Sequence, residues 1–105
     1  MSRIFYYPDG DDDLEVFCGW EVFMGKDLGY FFLVISRYSG PNTGYNTTVW
    51  SNLKDHKGPA MTIDDIARVL VMHQIVPPKS LLETLEADKM NHSNETTYLN
   101  ECRHQ

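Results

Sequence analysis

Residues 30–35 read Tyr-Phe-Phe-Leu-Val-Ile, six apolar side chains in a row between Gly29 and Ser36. A membrane-spanning helix takes about 20 apolar residues, so this run is too short for one, and its aromatic and β-branched content is that of a strand. Side chains of a strand alternate between its two faces, which puts Phe31, Leu33 and Ile35 on one side and Tyr30, Phe32 and Val34 on the other. A strand that is apolar on both sides belongs inside a sheet that is covered twice. The chain must therefore supply flanking strands, a layer for one face, and a cover for the second, for which a second copy of the chain is the expected source.

The flanking strands are legible. Residues 2–7 form an aromatic and β-branched run that stops at Pro8, and Asp9-Gly10 comes next as a hairpin signal. From Leu14 the pattern alternates, with Leu14, Val16, Cys18 and Trp20 facing one way and Glu15, Phe17, Gly19 and Glu21 the other. Gly25 and Gly29 bracket the turn into the central strand, residues 30–38. After a loop rich in Gly, Pro, Asn and Thr, residues 45–50 resume as a fourth strand. Residues 51–60 carry no periodicity and bridge the sheet to the second half of the chain.

That second half is helical. Thr62 with Asp65 three residues later forms a capping box, and Ile63, Ile66, Ala67, Leu70 and Val71 make one apolar stripe. Pro77 stops this helix and Pro78 opens the next, whose Leu81, Leu82 and Leu85 give a narrower stripe to about Met90. At 105 residues the chain suits one core. The expected fold is a single α+β domain over residues 1–105. A four-stranded, mostly antiparallel meander (2–50) is followed by two C-terminal helices on one face (62–90) and a polar tail (91–105), in the order ββββαα. The alternative adds residues 96–99 as an extra C-terminal strand.

Charge narrows the function classes. Nine basic against fifteen acidic side chains give a net charge of −6, which opposes direct binding of nucleic acid. The N-terminus lacks the zones of a secretory signal, so the cytoplasm is the expected location, and Cys18 and Cys102 are expected as thiols. No metal or cofactor is expected. His56, His73, His92 and His104 include no helical i, i+4 pair, and the cysteines form no C-x-x-C. Asp9, Asp11 and Asp13 match the start of a calcium loop, but Leu14 stands where its glycine belongs and Trp20 where its closing glutamate belongs.

Three groups of residues stand out as candidate binding sites. Asp9, Asp11, Asp12, Asp13 and Glu15 place five carboxylates in seven residues, more than a hairpin turn needs; of these, Asp11, Asp12, Asp13 and Glu15 are read as steering a basic partner. Tyr30, Phe32 and Trp50 are large side chains suited to an interface, against the commoner role of core packing. His56, between Asp55 and Lys57, is the one histidine in a charged loop, where a general acid or base could sit, although a surface position explains it as well.

No nucleophile motif or phosphate-binding loop accompanies His56, so no catalytic residue is assigned. The first reading is a non-catalytic interaction protein, an inhibitor of the phage or mobile-element anti-defence type. Such a domain presents an acidic and aromatic surface to a basic site on a larger protein, itself a nucleic-acid-binding one in the sharpest version. The alternatives are a small-ligand-binding domain using a dimeric sheet face, and a small hydrolase or nuclease using His56.

Overall fold

The computed structural model describes residues 2–9, 13–22, 29–38, 40, 44–52, 61–91 and 94–100. Five strands form one sheet: β1 (Arg3–Tyr6), β2 (Leu14–Val22), β3 (Gly29–Tyr38), β4 (Tyr45–Ser51) and β5 (Thr96–Leu99). Among the described residues, helices α1 (Ile63–Met72) and α2 (Lys79–Asn91) lie between β4 and β5 in the chain. The strand order is β4-β3-β2-β1-β5, so the α+β fold expected from sequence is present with the extra C-terminal strand. β5 runs parallel to β1, which makes the sheet mixed, and the helical segment carries the chain from one edge to the other.

The longest pairing joins β2 to β3, antiparallel from Leu14↔Arg37 to Val22↔Gly29. Two glycines permit the close approaches around it. A Cβ at Gly29 would run into the Glu21 carbonyl and the Trp20 indole, and one at Gly19 into the Ser2 carbonyl. Ser2, fully buried, closes the end of the β1–β2 ladder: its N–H donates to Trp20 O (2.9 Å), and its Oγ accepts from Trp20 N–H (2.8 Å).

β1 and β2 pair as expected, but their register ends at Tyr6↔Val16, so residues 7–13 form the connection instead of a two-residue turn at Asp9-Gly10. Pro8 has no N–H to extend the ladder. Tyr7 and Asp9 are instead drawn to the far end of the chain: Tyr7 N–H donates to Leu99 O (3.2 Å), and Asn100 Nδ2 donates to Tyr7 O and to Asp9 Oδ1 (both 2.8 Å).

The edge strand β4 is bulged twice, because Ile35↔Trp50 is followed by Ser36↔Thr48, and Arg37↔Thr47 by Tyr38↔Tyr45. Where it stops, the Asn52 side chain continues its work. Asn52 is fully buried, and its Oδ1 accepts from Leu33 N–H (3.2 Å), occupying the place a further backbone carbonyl would take.

One face of the sheet carries Ile4, Tyr6, Leu14, Val16, Cys18, Trp20, Phe31, Leu33 and Ile35 into a core completed by Met61, Ile66, Leu70, Ile75, Leu81 and Leu85. The capping box of α1 is formed, with Asp65 N–H donating to Thr62 Oγ1 (3.0 Å) and Thr62 N–H to Asp65 Oδ2 (2.9 Å). Its apolar stripe is narrower than the sequence suggests, for Ile66 and Leu70 are buried whereas Val71 is exposed.

The same helix ends before the prolines. Ile75 N–H donates to Leu70 O (2.8 Å) and Gln74 N–H to Val71 O (2.9 Å), with Gln74 at φ 63°. This is a Schellman termination in which glutamine occupies the left-handed position usually held by glycine. Pro78 then precedes α2, its carbonyl accepting from Leu81 N–H (3.1 Å).

Two substitutions test these contacts. Gln74→Gly should stabilise the fold by about 0.5–1 kcal/mol, because glycine adopts the left-handed conformation without the Cβ penalty. Asn52→Ala should cost about 1–3 kcal/mol by leaving the buried Leu33 N–H without an acceptor. Urea denaturation of both variants checks the two signs.

Candidate functional site: an uncovered aromatic sheet face

The second face of the sheet is set by the same registers. Phe5 lies opposite Phe17, Phe17 opposite Val34, and Phe5 beside Tyr98 on the parallel edge, so one row crosses β5, β1, β2 and β3. Phe5 stacks on Phe17 with ring centroids 4.7 Å apart and on Tyr98 at 5.2 Å, while Phe17 meets Phe32 edge-on at 5.1 Å. Such pairs contribute roughly 0.5–1.5 kcal/mol each beyond simple burial.

The helices bury Ile66, Leu70, Leu81 and Leu85 against the other face, and among the described residues no helix or strand packs over this row. Phe5, Phe17, Val34 and Tyr30 are half-buried, and Tyr98 is 52% exposed. Phe32 reaches 7% exposure beside Gly19, across the ladder, where a Cβ would lie 3.0 Å from the Phe32 ring.

Charged groups flank the row along the strand direction. Arg3 is exposed, two residues from Phe5 on one side, and among the described residues it makes no ion pair. Glu15 is two residues from Phe17 on the other side, half-buried, and accepts from Tyr7 Oη–H at 2.9 Å. Partial burial raises its pKa above the usual carboxylate range, and the Tyr7 hydrogen bond offsets this only in part.

The residues singled out from sequence are only partly brought together. Tyr30 and Phe32 lie on the uncovered face as expected, and Glu15 borders it. Asp13 is exposed at the start of β2, where its carbonyl accepts from Tyr38 N–H (2.7 Å). Trp50 is on the opposite face, beside Ile35, and packs half-buried against the core. Asp11, Asp12 and His56 lie outside the described residues. Sequence reading missed Arg3, Phe5 and Tyr98. The first two could have been found from the hairpin register, whereas Tyr98 joins the row only through a parallel pairing that has no local signal.

A second feature lies at the other end of β2. A cavity of about 510 Å³ is lined by Trp20, Phe31, Met61, Asp64, Glu86 and Lys89, among others. Lys89 Nζ sits 5.5 Å from the Trp20 ring and 5.9 Å from that of Phe31. Trp20 Nε1 and Asp88 Oδ2 are buried without a hydrogen-bond partner among the described residues. Asp88 continues the buried stripe of Leu81 and Leu85, and burial together with the Asp88 carboxylate pushes the Cys18 thiol far above its ordinary range. A thiol so held is protonated and unreactive. Among the described residues there is no cluster of His, Cys, Asp and Glu able to hold a metal ion, and no helix long and apolar enough to cross a membrane.

No family model, no curated protein and no solved structure matches the chain.

Because Glu15 holds its proton to higher pH in the folded chain than in the unfolded one, its contribution to stability is full below the unfolded carboxylate range and is lost as pH rises through the folded value. Glu15→Gln keeps a neutral acceptor for Tyr7. On dilute protein its melting temperature should equal that of the wild type in acid and exceed it towards neutrality, as thermal scans between about pH 3 and pH 7 would show.

Proposed function

We propose that this protein is a non-catalytic interaction protein whose working surface is the aromatic face of its sheet. The observation that carries the reading is the row Tyr98–Phe5–Phe17–Val34, which runs across four strands with no layer over it among the described residues. Contiguous apolar surface of this kind is costly to expose and marks contact with another macromolecule. Aromatic side chains suit such contacts because they give large area with few rotatable bonds.

The acidic residues beside Glu15 in sequence support one partner class. A net charge of −6 and the carboxylates of Asp11, Asp12 and Asp13 favour a basic site on a larger protein, by long-range attraction that speeds encounter. Occupying a nucleic-acid-binding site in this way would make the protein an inhibitor of the anti-defence type, acting in the cytoplasm. The test is capture from the native host with immobilised protein, then kinetics with the captured partner. The D11N/D12N/D13N variant should fold normally, associate more slowly, and lose most of its dependence on salt. Association at an unchanged rate in low and high salt overturns the basic-partner assignment.

One observation favours a second reading, a small-ligand domain. The cavity beside Trp20 and Lys89 has the volume of a ligand pocket, although it lies at the helix side of the sheet instead of on a dimeric sheet face. Ligand-specific thermal shifts that vanish in Lys89→Ala would support it.

A further inference from the structure

Resting on the reading of the aromatic face as a contact surface, we infer that its occupant is a second copy of this chain, docked face to face about a two-fold axis that lies along the Phe5–Phe17 row and pairs Arg3 of each copy with Glu15 of the other. Self-complementarity selects this arrangement. In a two-fold interface the same patch meets itself, so any charge on it must find its opposite at the symmetry-related position.

Two in-plane axes are available to a pair of facing sheets, one along the strands and one across them. An axis along the strands would leave Arg3 over the Gly19–Phe32 level and Glu15 over the level of Tyr7 and Ser36, with neither charge answered. An axis across the strands exchanges the two sides of the aromatic row. Arg3 and Glu15 stand roughly 7 Å from the row on opposite sides, on adjacent strands, so the exchange brings each arginine over Tyr7 and Glu15 of the facing sheet. At the sheet separation of about 10 Å, an arginine side chain spans the gap.

The arrangement gives each component what it lacks among the described residues of one chain. The half-buried Glu15 carboxylate has no cationic partner among the described residues, and the Arg3 guanidinium has no anionic one. Phe5, Phe17, Val34 and Tyr98 are covered by their own counterparts. Glu21 and Asp13 fall at the rim, roughly 13 Å from the axis, where solvent screens their repulsion.

Sedimentation equilibrium on the purified full chain tests the inference. The wild type should dimerise, and Arg3→Glu and Glu15→Arg should each raise the dimer dissociation constant about tenfold or more, since two symmetric pairs become repulsive at once. The double variant R3E/E15R, with the charges exchanged, should return to within a few-fold of the wild type. Circular dichroism confirms that each variant is folded, and Arg3, being exposed, tolerates the change. A wild type that stays monomeric at about 100 µM overturns the inference, as do single variants that dimerise like the wild type or a double variant that fails to recover. A monomer that still captures a basic partner through Asp11, Asp12 and Asp13 would overturn the self-association alone, so the two readings fail separately.

Discussion

The β2–β3 pairing is the contact on which the rest of the molecule is hung. It extends from Leu14↔Arg37 to Val22↔Gly29, and the core-facing pairs within it, Val16 with Ile35, Cys18 with Leu33 and Trp20 with Phe31, form the floor on which α2 rests. β1 and β4 each add to one side of this ladder, and their registers are set by it. A slip of β2 by one residue against β3 would turn Val16, Cys18 and Trp20 towards the uncovered face and bring Phe17 under the helices. Gly29 guards against this at the hairpin end, because any larger residue would meet the Trp20 indole.

The same two-residue period builds both faces at once. Every side chain that Phe31, Leu33 and Ile35 send to the core is matched by one that Tyr30, Phe32 and Val34 send the opposite way. Only the first set has its cover within the described residues. The aromatic row is thus a direct product of a central strand too apolar for a sheet with one wet side, and α1 and α2, packed on the core face, leave it open among the described residues.

Much of the fold was legible, and for particular reasons. The alternation from Leu14 to Trp20 and the double-sided run of β3 are local patterns with one geometric meaning, and the Thr62–Asp65 capping box fixes the start of α1 through contacts only three residues apart. The end of α1 at His73 was legible, but its left-handed termination was not, because a glutamine in a Schellman position looks like any other helical residue. Nor was the length of the β1–β2 connection, which depends on hydrogen bonds from Leu99 and Asn100 more than ninety residues away. Of the site, Tyr30, Phe32 and Glu15 could be placed by counting in twos, and Phe5 needed a register. Trp50, read from sequence as suited to an interface or to core packing, faces the core, because the register shift between Ile35 and Ser36 resets the alternation of β4 just before it.

The parallel seam between β1 and β5 has a kinetic meaning. β1 has only β2 beside it until residues 96–99 return across the molecule, and closing that loop is entropically slow compared with forming the three antiparallel pairings of the meander. On a translating ribosome the meander can therefore assemble while one flank of its first strand still offers unpaired N–H and C=O groups, next to the half-buried rings of Phe5 and Phe17. The interval before β5 docks is when nascent chains of this protein are most open to pairing with one another, and a chaperone that shields a strand edge would act at that moment.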